Sequence, residues 1–173
     1  MFLKYINNLE KWKEFLNYKL FSLYSYRKEK RLLTDFIKNE KFRDICSKLE
    51  NTTYSFSIPK KVFINKGNTS KKRVVYKFLE DEVIVLKYIS YLLYDYDYLF
   101  CNNLYSFRKD ITMKDAIYKI KGLLNENKLY AYKVDISDYF NSINSSKLLD
   151  MLSLDIKDKD LFNVIKSIIG NKY

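Results

Sequence analysis

In the stretch Tyr130-Ala131-Tyr132-Lys133-Val134-Asp135-Ile136-Ser137-Asp138-Tyr139-Phe140-Asn141-Ser142-Ile143, apolar and β-branched residues run into a carboxylate and then into a polar, aromatic turn. Strand interiors favour β-branched and aromatic side chains, so the segment predicts a buried strand whose end presents Asp135. A carboxylate so placed can ligate a divalent cation. It can equally cap the turn after the strand, with Tyr139 and Phe140 in the core, because Asp is a common turn residue.

Composition narrows the chemistry further. The 173 residues include no histidine, which removes Ser-His-Asp and Cys-His nucleophilic sites and His-ligated metals. Carboxylates and oxygen-loving ions such as magnesium remain. Cys46 and Cys101 are too few for a disulfide framework or a Cys-rich zinc site and read as small buried hydrophobes. No apolar run approaches roughly 18 residues, and the opening of the chain is too charged for an export signal. No membrane span is therefore expected, and the compartment implied is the reducing cytoplasm. A formal charge of +11, from 32 basic against 21 acidic residues, favours a polyanionic partner. At 47% hydrophobic and 17% aromatic, the chain is globular, of a length for one domain or part of a larger one.

The elements that must position Asp135 follow from periodicity. From Phe2 to about Leu20, the apolar residues Phe2, Tyr5, Ile6, Leu9, Trp12, Phe15 and Leu16 recur at the three- and four-residue steps of one helix face. Leu32, Leu33, Phe36 and Ile37, then Phe42, Ile45, Cys46 and Leu49, predict two or three short helices ending near Asn51. Arg27, Lys28, Lys30 and Arg31 are either a solvated face or a nucleic-acid contact. After Asn51 the pattern alternates: Phe56 and Ile58, then Val62 and Ile64, read as strand residues bent at Pro59. Lys66-Gly67-Asn68-Thr69-Ser70 is turn chemistry, and Lys71-Lys72-Arg73-Val74-Val75-Tyr76 returns as a second strand. The product is a basic β-hairpin whose cations either protect an edge or grip phosphates.

Glu80 to about Asp95 is helical again, with tyrosines at 88, 91, 94, 96 and 98 expected in the core and at interfaces. Asn103 to Arg108 is a loop leading to Thr112-Met113-Lys114-Asp115, a capping box that opens a helix. Beyond the Asp135 strand, Ser145 can cap a helix through Leu152, and Lys159 to Ile169 predicts another, stopped by Gly170. Asp155, Asp158 and Asp160 read as a solvated turn. The fold class expected is α+β.

Three stretches, in order, resemble the bacterial reverse transcriptases of group II introns, retrons and defence-associated systems. They are Lys72-Arg73-Val74-Val75 ending the hairpin; Asn103-Leu104-Tyr105-Ser106-Phe107-Arg108 leading to Asp115-Ala116, similar to the family's Ser-Tyr-Gly-Phe-Arg loop and Asp-Ala helix; and the Asp135 motif. The resemblance covers roughly residues 54–152. It implies an N-terminal helical region over 1–52, fingers over 53–127 and the first part of a polymerase palm over 128–173.

What the resemblance implies for residues is specific. Asp135 would ligate Mg2+, with the carbonyl of Ile136 a further ligand. Phe140 would stand where the family keeps an aromatic that blocks a ribose 2′-hydroxyl. Arg73, with Lys72, would contact the incoming dNTP, and Arg108 would lie near the template or nucleotide pocket. Nucleotidyl transfer needs two magnesium ions held by carboxylates, with protein cations on the triphosphate. The partners implied are an RNA template, a DNA primer, dNTP and a second chain carrying the rest of the palm. The family's Gly-rich motif and tyrosine-containing Asp-Asp pair have no counterpart here, and Ser106 stands in place of the loop's Gly. One carboxylate cannot hold two magnesium ions, so the isolated chain is expected to be inactive, as a truncated product or one piece of a split enzyme. The alternative is a non-catalytic nucleic-acid-binding module derived from a reverse transcriptase.

Overall fold

A computed structural model of the chain describes residues 2–22, 27–65, 67, 70, 72–126 and 130–170. The fold is α+β: helices α1 (Phe2–Ile6), α2 (Leu9–Ser22), α3 (Arg27–Lys38) and α4 (Phe42–Glu50) precede a hairpin of β1 (Lys60–Asn65) and β2 (Lys72–Lys77). Helix α5 (Glu80–Leu92) runs into a 3₁₀ segment, Leu93–Leu99, and is followed by α6 (Met113–Glu126), α7 (Tyr139–Ser142), α8 (Ser145–Asp155) and α9 (Lys159–Gly170).

The single helix expected from Phe2 to Leu20 is two. Asn8 breaks it, because its side-chain oxygen accepts from the Lys11 amide at 3.1 Å and so starts α2 as a new helix. The break has a second cause in the core. The last carbonyls of α1 accept from side chains: Tyr88 Oη donates to Tyr5 O at 2.6 Å and Trp12 Nε1 to Ile6 O at 2.8 Å. Orphan carbonyls at a helix end are satisfied, and two buried aromatics gain partners for their polar tips.

Trp12 is the centre of the packing. Its ring stacks on Tyr88 at 3.9 Å and on Phe42 at 4.6 Å, with Phe15 and Phe36 each 5.9 Å away. The core joins α1 to α5 with Phe56 from the segment before the hairpin and with Ile156, Leu161, Val164 and Ile165 from the C-terminal end. Helix α9 packs against α1. Asp158 starts α9 by accepting from the Asp160 and Leu161 amides at 3.1 Å, so it is a half-buried cap, where a solvated turn is expected. Asn144, one residue before the expected Ser145, caps α8 through the Lys147 amide at 3.0 Å. Among the described residues no helix is long and apolar enough to cross a membrane.

Two expected strands are not formed. Residues 53–59 carry no ladder, and β1 begins only at Lys60, with Phe56 buried as an anchor and Ile58 exposed. Pro59 lacks the N–H a ladder needs. Residues 130–136, the expected Asp135 strand, run without helix, turn or bend and pair with nothing among the described residues. The reason is topological: the sheet found among those residues is the hairpin alone, so no neighbouring strand lies beside Asp135.

Candidate nucleic-acid and metal site

The hairpin strands pair antiparallel with Lys61 opposite Tyr76, Val62 opposite Val75, Phe63 opposite Val74 and Ile64 opposite Arg73. Alternation puts Lys61, Phe63, Lys72, Val74 and Tyr76 on one face and Lys60, Ile64, Arg73, Val75 and Lys77 on the other. Lys60, Lys61, Lys72, Arg73 and Lys77 are exposed, and none makes an ion pair among the described residues. Lys61 lies over the Phe63 ring, 5.8 Å from its centroid. Cations left without a protein counter-charge suit polyanion binding, since pairing them inside the protein would spend the attraction a phosphate needs. Lys66 and Lys71, also expected in this cluster, lie outside the described residues.

The base of the hairpin is clamped by Glu82, which sequence reasoning missed. Its carboxylate, 2% exposed, accepts from the Tyr54 hydroxyl at 2.8 Å, the Ser57 amide at 2.7 Å and the Ser57 hydroxyl. One foot of the hairpin, through Ser57, is thus tied to the helix that continues from the other foot. Burial by itself would raise the Glu82 carboxyl, but the hydrogen bonds from Ser57 and Tyr54 to its charged form hold it below the usual carboxylate range. The same burial, with Glu82 beside it, pushes the Tyr54 phenol up.

Asp138 adopts a left-handed backbone, φ 51° and ψ 40°, which Asp tolerates better than most residues, and α7 starts immediately after it. Its carbonyl accepts from the Ser142 amide at 3.0 Å. This turn brings Asp138 and Tyr139 against the hairpin, where they line one open groove of about 670 Å³ with Lys61, Arg73, Val74, Val75 and Tyr76. The structure therefore brings Arg73 together with the turn that follows Asp135 by three residues. Lys72 is exposed one residue away on the opposite hairpin face. Asp135 is exposed, and the Ile136 carbonyl beside it accepts no hydrogen bond among the described residues. The Phe140 side chain lies outside what is described.

Arg108 is placed elsewhere. Its side chain, 8% exposed, forms a two-pronged ion pair with Asp97, donates to Cys101 O at 3.1 Å and lies over the Phe100 ring. A guanidinium fork filled by a carboxylate and a carbonyl of its own loop has little left for a phosphate. In this structure Arg108 clamps its own loop. The left-handed position of that loop is Phe107, φ 61°, one residue beyond Ser106. One half of the capping box expected at Thr112 is present: the Thr112 amide donates to the Asp115 carboxylate at 2.7 Å, as does the Thr112 hydroxyl at 2.6 Å, while the Asp115 amide donates to the Thr112 carbonyl.

Nothing in residue type alone marks Glu82 as buried, because an acid in the first turn of a helix is ordinary dipole compensation. Asp138 and Tyr139 sit inside the motif stretch, but only the left-handed turn turns them toward the hairpin. Among the described residues no three carboxylate or thiolate groups converge as a metal cluster would require. No protein-family model matches the chain, and no curated protein matches it.

Proposed function

We propose that the chain is the fingers and leading palm portion of a reverse-transcriptase-like, RNA-templated DNA polymerase. The basic hairpin binds phosphates of the dNTP and the template–primer beside the Asp135 turn. One observation carries this proposal: Arg73 and the Asp138–Tyr139 turn, distant in sequence, share one open groove. The order of the three motif stretches supports it independently.

The roles of the chain's own residues follow from their chemistry. Arg73 is an always-charged, forked donor suited to a phosphate, and Lys72 adds a point charge to the same ribbon. Tyr76 and Tyr139 give the groove apolar walls on which a base or ribose can rest. Asp135 offers a solvated carboxylate. A two-ion magnesium centre needs several converging carboxylates, and those described here do not converge. The described residues thus do not fit that centre, and the chemical step requires carboxylates supplied from outside them.

That same shortage, with Arg108 turned into its own loop, favours a second function: a nucleic-acid-binding module without catalysis. Primer extension with Mg2+ and dNTPs, with the remaining palm supplied as a second chain, separates the two. Loss of synthesis in Asp135→Asn with duplex binding retained is the expected result. Unchanged synthesis in that variant overturns the catalytic role, and binding with no synthesis under any complementation leaves the module.

A further inference from the structure

We infer that the extended segment 130–136 pairs antiparallel with its copy in a second chain about a two-fold axis through Val134, with residues 132–136 of each chain lying opposite one another. This goes beyond the polymerase proposal and does not rest on it.

The segment has the properties of an unclaimed strand. Its backbone N–H and C=O groups make no hydrogen bond among the described residues. Its side chains alternate: Tyr130, Tyr132, Val134 and Ile136, which are 92%, 89%, 87% and 62% exposed, fall on one face, and Ala131, Lys133 and Asp135 on the other. An open edge with one apolar face is a template for another strand.

Charge complementarity selects both the partner and the register. With Val134 opposite its own copy, Lys133 of each chain lies directly opposite Asp135 of the other, twice over by symmetry, and Tyr132 lies opposite Ile136. Neighbouring symmetric registers fail. Centring on Lys133 opposes two ammonium groups, centring on Asp135 opposes two carboxylates, and a slip of one residue mixes the apolar and polar faces. A two-fold contact of this kind closes on itself, so it makes a dimer and no fibre. Neither Lys133 nor Asp135 has an ion-pair partner among the described residues. A two-stranded ribbon is marginal alone. The exposed stripe Met113, Ile117, Ile120 and Leu124 on α6, just upstream in the chain, offers a layer for its apolar face. The dimer engages Asp135, so it is a resting form with respect to any chemistry at that carboxylate.

Sedimentation of the full chain over a concentration series, near physiological salt, tests the pairing. The wild-type chain is expected to form dimers as concentration rises. Lys133→Asp or Asp135→Lys, each of which turns both attractive pairs repulsive, should weaken association about tenfold or more. The double variant Lys133→Asp/Asp135→Lys restores opposite charges and should return association to near the wild-type level. All of these positions are exposed, and circular dichroism confirms folding. A chain that stays monomeric, or a double variant as weak as the singles, overturns the inference. Amide protection of residues 132–136 that does not vary with concentration does the same, since it would mean the edge is covered by the chain itself. Nucleic-acid binding through Arg73 can fail without affecting this result, and the reverse holds too.

Discussion

Helices α3 and α6 carry the same kind of apolar spacing and meet opposite fates. Leu33, Phe36 and Ile37 of α3 are buried against the Trp12 cluster, whereas Met113, Ile117, Ile120 and Leu124 of α6 stay exposed. Amphipathic periodicity specifies a face but not its cover. In the first region the cover is local, because α2 folds back on α3 and its aromatic residues fill the space between them. In the second, from Met113 to Asp155, the described residues supply little cover, and the candidate site lies along this open side. The packed half therefore holds the hairpin and presents it, while the half bearing Asp135 is exposed among the described residues.

This contrast sets the expected sizes of substitutions. Trp12→Ala should be the most damaging, costing about 4 kcal/mol of unfolding free energy in a denaturant titration, because it empties a ring site packed on four aromatics. Glu82→Ala should cost about 2 kcal/mol by leaving half-buried donors on Ser57 and Tyr54 unpaired, and should loosen the hairpin base, seen as faster amide exchange in β1.

The Glu82 carboxyl titrates below its ordinary value in the folded chain. Its stabilising contribution is therefore fully present above the unfolded carboxylate range, near pH 4.3, and is lost as pH falls through the lower folded value. Thermal unfolding followed across that acidic window should fall less steeply in Glu82→Gln than in the wild-type chain. Ile120→Ser on the open side should change stability by no more than about 0.5 kcal/mol. A loss as large as that of Trp12→Ala would mean that α6 is buried after all.

Much of this was legible in the residues. The hairpin, the helices of the core, the Asp115 cap on Thr112 and the α+β class follow from periodicity and turn chemistry. Sequence reasoning fell short where a long-range partner decides the outcome. Residues 130–136 have strand composition, but a strand exists only beside another. Arg108 matches a motif, yet Asp97 eleven residues earlier claims its guanidinium. Glu82 looks like a solvated first-turn acid until the chain before the hairpin folds over it. The helix break at Asn8 was readable in principle from its capping residue type, but the apolar stripe runs through it and hides the boundary.

The central claim is that Arg73 and the turn after Asp135 form one polyanion-binding groove, and affinity for an RNA–DNA duplex measured against salt tests it most directly. The wild-type chain should bind with a steep negative dependence on salt. Arg73→Ala should weaken binding with the fold intact and reduce the slope of log affinity against log salt by about 1, the signature of one lost phosphate contact. Equal affinity and equal slope in the two proteins would contradict the account.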